Sequence, residues 1–147
     1  MLRNILLLLA FAVLTLVGSA QGNADPYIKE ADRHFQQMAY ARAIDGYITA
    51  TELGAVNEHV TKRLAECYMR LGKSDQAEKW YAMLVKFLNR EPKEMYNYAE
   101  ALKSNGKYIE AEEWMDRYLA ATAPEGASRR SNINGFARKF LATPDRF

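Results

Sequence analysis

Between residues 24 and 125, apolar side chains recur at intervals of three and four, the spacing that lines one face of a helix. Tyr27, Ile28, Ala31, Phe35 and Met38 form the first such run, and Asp25-Pro26 precedes it with an N-cap residue and a first-turn proline. A second helix is predicted over about 40–53, carrying Ala43, Ile44, Tyr47, Ile48 and Ala50, with Gly54 placed to end it. Val60, Leu64, Ala65, Tyr68 and Leu71 line a third, and Gly72 permits a left-handed turn after it. Ser74-Asp75 can cap a fourth, which carries Ala77, Trp80, Tyr81, Leu84, Val85 and Leu88. Pro92 opens a fifth with Met95, Tyr98, Ala99 and Leu102, and Gly106 turns the chain into Ile109, Ala111, Trp114, Met115, Tyr118 and Leu119.

The pattern returns to itself after 34 residues. Aligning the windows 24–57, 58–91 and 92–125 superposes Ala31, Ala65 and Ala99, then Asp32, Glu66 and Glu100, then Ala43, Ala77 and Ala111. Tyr47, Tyr81 and Met115 also coincide, and the last two windows share Gly72/Gly106, Lys73/Lys107 and Trp80/Trp114. A fixed period of this length predicts stacked supersecondary units, none of which can bury its apolar face alone. Alanine at two recurring positions has a physical cause: only a small side chain fits where paired helices approach closely, and bulkier residues fill the space beside it.

Outside the repeats, residues 121–128 are predicted to be a linker, with Pro124 and Gly126. A further helix is predicted over about 129–141. Ile133, Phe136, Phe140 and Leu141 would give it an apolar stripe to cover the exposed end of the stack, so 126–147 is expected to be a capping helix and tail. At the other end, residues 1–20 have the order of a secretory signal peptide: Arg3, an apolar run over 5–17, then Gly18-Ser19-Ala20. The apolar run falls short of the roughly 20 residues of a membrane span. The expectation is a mature chain starting at Gln21, periplasmic or associated with the outer membrane.

Charge excludes little but argues against two partner classes. Loss of Arg3 would leave 19 of the 20 basic side chains against 18 acidic ones, too even a balance to grip nucleic acid or an anionic membrane. Cys67 is the only cysteine, so no internal disulfide can form, and its apolar neighbours on a helix predict a buried, inert thiol. Catalysis finds little support. His34 and His59 have no evident partner in the sequence, and Cys67 has no placed base. Neither a phosphate-binding glycine loop nor a Cys/His cluster is present, so no cofactor, metal or small-molecule substrate is expected.

The residues at these positions resemble tetratricopeptide repeats. The second unit matches at Leu64, Ala65, Tyr68, Gly72, Ala77, Tyr81 and Leu84, and the third at Ala99, Leu102, Gly106 and Ala111. The first departs from the pattern: Met38 stands where the turn glycine is usual, and His34 where tyrosine is usual. The resemblance implies an all-α fold of three helix hairpins in a right-handed superhelical stack, closed by the capping helix. It also implies a scaffold that mediates protein–protein interaction rather than an enzyme. The runs ADRHFQQMAYARAIDGYITA, RLAECYMRLGKSDQAEKWYAMLV and NYAEALKSNGKYIEAEEWMDRYL are further similar to exported envelope proteins of the Bacteroidetes-type OmpA family, some linked to type IX secretion. There a repeat region precedes a β-propeller and a peptidoglycan-binding domain. Neither follows within these 147 residues, so peptidoglycan binding is not carried over. The implied partner is a protein or peptide of the cell envelope. The other reading is the adaptor end of an outer-membrane or peptidoglycan-anchoring protein.

In such repeats the first helix of each unit lines the concave face. By register that face holds Ile28, Asp32, Phe35, Lys62, Glu66, Met69, Arg70, Tyr96, Glu100 and Lys103. Asp32, Glu66 and Glu100 would form an acidic rung across a peptide groove. Because acids occupy that rung, the clamp by which some relatives hold a C-terminal carboxylate is not expected here. Trp80 and Trp114 are read as packing rather than as anchors for a partner, and the basic residues of 121–147 as the solvated face of the capping helix.

Overall fold

The structure, a computed structural model, describes residues 23–87, 91–123 and 139–142. The leader, most of the linker, and Ile133 and Phe136 of the capping stripe lie outside them. Six helices follow in order: α1 (Asp25–Gln36), α2 (Tyr40–Glu52), α3 (Glu58–Arg70), α4 (Ser74–Leu84), α5 (Pro92–Ser104) and α6 (Tyr108–Thr122). Residues 139–142 are also helical, and there is no strand among the described residues. None of these helices is long and apolar enough to cross a membrane.

Successive helices pair as three hairpins, α1/α2, α3/α4 and α5/α6, and each hairpin leans on the next through α2/α3 and α4/α5. The six repeated alanines explain the closeness of the pairs. Ala31, Ala43, Ala65, Ala77, Ala99 and Ala111 are all 0% exposed. Tyr47, Leu64, Leu84, Leu102 and Met115 fill the space around them. In the first hairpin the helices approach closely at Gly46, where an added Cβ would stand 3.0 Å from that of Ala31 and 3.2 Å from the Tyr27 carbonyl oxygen. The same register position carries Trp80 and Trp114 in the later hairpins. These indoles are partly buried, Trp80 between the first two core clusters and Trp114 against Tyr98 at 5.0 Å between ring centroids.

Phe140, from the 139–142 stretch, is buried with Ala99, Leu102, Ala111 and Met115. It covers the apolar end of the third hairpin, the role expected of a capping helix.

Local details differ from the sequence expectations in four places. Asp25 is not the cap of α1: the helix starts one residue earlier in effect, Ala24 precedes it, and the Asp25 N–H is donated to Asn23 Oδ1 at 3.0 Å. Ser74 does not cap α4 either, because its hydroxyl donates to Asn105 Oδ1 of the next hairpin at 2.6 Å. Ile109 is 78% exposed, since it sits on the outer side of the first turn of α6. Ala121 and Thr122 remain helical, where a linker was expected, and the Thr122 hydroxyl bonds back to the Tyr118 carbonyl.

The three hairpin turns share one backbone solution. Gly72 and Gly106 take φ of +69° and +75°, and in the first hairpin Met38 takes φ of +58°. A residue with a Cβ costs about 1–2 kcal/mol in this left-handed region. Met38 is 75% exposed, so its side chain returns little by packing. Met38→Gly is therefore expected to raise stability by about 0.5–1 kcal/mol in urea unfolding, and Gly72→Ala to lower it by about 1 kcal/mol.

Candidate functional site

A groove of about 480 Å³ opens on the side of the stack formed by α1, α3 and α5. Phe35 enters from α1, then Arg63, Glu66, Met69 and Arg70 from α3, and Lys93, Tyr96, Asn97 and Glu100 from α5, with Tyr81 of α4 closing the floor. The helical period explains the set. Residues 63, 66 and 70, like 93, 97 and 100, are three or four apart and so share a face.

Of the ten residues expected on this surface, Phe35, Glu66, Met69, Arg70, Tyr96 and Glu100 line the groove together. The other four are engaged elsewhere. Ile28 packs against the core of the first two hairpins. The Asp32 carboxylate accepts the buried Tyr47 hydroxyl at 2.5 Å and lies 2.8 Å from His59 Nε2, tying the first hairpin to the second. It therefore does not extend the acidic rung into the groove. Lys62 pairs with Glu94 at 3.0 Å and Glu91 at 3.3 Å. Lys103 is buried with its ammonium 4.9 Å over the Phe140 ring. Arg63, Tyr81, Lys93 and Asn97 are lining residues that the register argument did not select. Counting one face on each side of the repeated acid would have found Arg63 and Asn97, which are equivalent across the period.

The charges of the groove divide into satisfied and open ones. Arg63 donates to Glu66 at 3.0 Å and lies 4.2 Å over the Phe35 ring, so its charge is committed within the protein. Arg70, Lys93 and Glu100 make no hydrogen bond or ion pair with any described residue. Burial, and after it the negative charge of Glu66, push the Tyr81 phenol above its ordinary value, so it stays neutral at the groove floor.

Beside the groove, Lys62 is the hub of the second joint. Burial works against its charge, yet its bonds to Glu94 and Glu91 outweigh this and raise its pKa. Glu94 is 1% exposed and depends on that ammonium for compensation. Its other oxygen accepts the Glu91 N–H at 3.1 Å, so the same carboxylate also holds the start of α5.

The two histidines, partnerless in the sequence, each meet a carboxylate: His59 meets Asp32, and His34 meets Glu30 at 3.2 Å. Cys67 is buried among Val60, Leu64 and Tyr47, and burial pushes its thiol up to about 12. Among the described residues, no group of three His, Cys, Asp or Glu side chains could hold a metal.

Comparison with known proteins bears on the fold. No protein-family model and no curated protein matches the chain. Solved structures do. The first tetratricopeptide domain of Spaghetti (RPAP3), bound to an HSP90 peptide, is 22% identical with a TM-score of 0.63, covering 85% of this chain and 97% of that one. The Yersinia enterocolitica type III secretion chaperone SycD, in complex with a peptide of the translocator YopD, is 19% identical with a TM-score of 0.61, covering 80% and 88%. The Sgt2 tetratricopeptide domain of Aspergillus fumigatus is 17% identical with a TM-score of 0.61, covering 82% and 80%. At these identities the likeness shows the fold: the chain is built as a tetratricopeptide-repeat stack.

Folding raises the thiol's pKa from its ordinary 9.0, so the neutral thiol contributes stability below pH 9 that is lost as pH rises towards 12. Alkylation of Cys67 by iodoacetamide at pH 8 is expected to be at least about a hundredfold slower in the native protein than in urea. A native rate equal to the unfolded one would contradict the burial.

Proposed function

We propose that this chain is a non-enzymatic scaffold that seats a segment of a partner protein in the groove between α1, α3 and α5. The observation that carries the reading is the groove itself. Three hairpins contribute to it, aromatic surface from Phe35, Tyr81 and Tyr96 lines it, and Arg70, Lys93 and Glu100 stand in it with their charges uncommitted. Open charge beside partly exposed aromatic rings is what a bound peptide satisfies, the rings giving affinity and the charges orientation. The peptide complexes of RPAP3 and SycD support the same use of a similar fold.

We place the scaffold in the bacterial cell envelope, acting in assembly or secretion. The support is the leader-like order of residues 1–20. On this reading the mature protein starts at Gln21 and fractionates with the periplasm or outer membrane.

A photo-crosslinking residue at Asn97, inside the groove, is expected to capture a discrete protein adduct in cells, while one at the exposed Lys79 of α4 captures none. Replacing both Glu66 and Glu100 with Lys should reduce the adduct several-fold with an unchanged circular-dichroism spectrum. Adducts from Lys79 alone would move the partner to the outer face, and co-sedimentation with isolated peptidoglycan would favour the anchoring role instead.

A further inference from the structure

The open charges of the groove have an order. Lys62, near the start of α3, pairs with Glu91 and Glu94 at the start of α5, so the two helices run in the same direction with their starts together. Along that common direction Lys93 comes first. Glu100 follows on the same helix seven residues later, roughly 10 Å at the rise of an α-helix. Glu66 stands one period before Glu100 and hence at its level, and Arg70 lies four residues beyond Glu66, roughly 6 Å further. The open charges therefore run cation, anion, cation. The remaining lining pair, Arg63 with Glu66, neutralises itself and selects nothing.

We infer that the groove selects its partner by charge order, taking an extended segment that presents an acidic, a basic and an acidic side chain in succession, with apolar side chains between them. At roughly 3.3 Å per residue, the base falls about three residues after the first acid and the second acid about two residues after the base. The first acid meets Lys93, the base meets Glu100, and the second acid meets Arg70. The interleaved apolar groups lie on Phe35, Met69 and Tyr96. The inference rests on the groove being the partner site and adds which chemistry it accepts. Glu100 has the discriminating part: a segment with a carboxylate at that level meets like charge beside low-dielectric ring surface, where repulsion is poorly screened.

The test uses two fluorescein-labelled peptides of about eleven residues with identical composition, differing only in order: acid–base–acid at the stated spacing, or base–acid–acid. Fluorescence anisotropy with the purified protein is expected to show the first peptide binding about tenfold more tightly, a margin that shrinks with added salt. Lys93→Glu combined with Glu100→Lys turns the groove's order to anion, cation, cation and should invert the preference toward the second peptide. Circular dichroism checks that the exposed or half-buried substitutions leave the fold intact. Equal binding of both peptides by the native protein would overturn the charge-order inference and leave the groove as a binding site. Binding of neither would overturn both. Unchanged preference in the folded double variant would show that the discrimination arises elsewhere.

Discussion

Everything in this molecule depends on how closely the two helices of each hairpin can approach. Six alanines with no exposed surface, two per hairpin, set that distance. A larger side chain at any of them would push a pair apart, and the tyrosine, leucine and methionine that fill the remaining volume would lose their contacts on both sides. The groove inherits its geometry from this. The first helices of the three hairpins can curve around a shared concave face only because their second helices are packed tightly behind them.

Between hairpins the chemistry changes from packing to polar ties, and the two joints differ. The first uses one carboxylate, Asp32, shared by a phenol and an imidazole, together with the Arg63 guanidinium laid over Phe35. The second uses two separate clusters at opposite ends of the helices. Lys62 holds Glu91 and Glu94 at one end, while at the other Asn105 donates to Glu78 at 2.7 Å and to the Ser74 carbonyl, and Lys107 reaches Glu78 at 2.6 Å. Such ties add modest free energy where solvent reaches them, but they set register, which apolar contact alone leaves loose.

The period made the fold readable from the residues. Small alanines, turn glycines and helical apolar spacing recur every 34 residues, so each unit corroborates the others, and helix limits such as those of α2 and α5 follow from that pattern. What stayed hidden depended on contacts across the period. Ser74 reads as a cap in isolation, yet Asn105 lies 31 residues away in sequence and takes its hydroxyl. His59 meets Asp32 from 27 residues away. Asp32, Lys62 and Lys103 share register with groove residues, but register tells which face a side chain is on, not whether a neighbour has already claimed its charge. Tyr81 reached the groove floor from a second helix, which a rule restricted to first helices excludes.

Met38 and Gly46 both belong to the first hairpin, and its joint to the second has one carboxylate, Asp32, beside the Arg63–Phe35 contact. A linear array opens where its units are weakest, and here that is the N-terminal end. Phe35 is the groove wall that this end supplies. Release of the first hairpin would remove that wall while the second and third hairpins stay clasped by Lys62 and Glu78. A segment seated in the groove, as proposed, would link its own occupancy to the order of the first hairpin and act as a strut for that repeat.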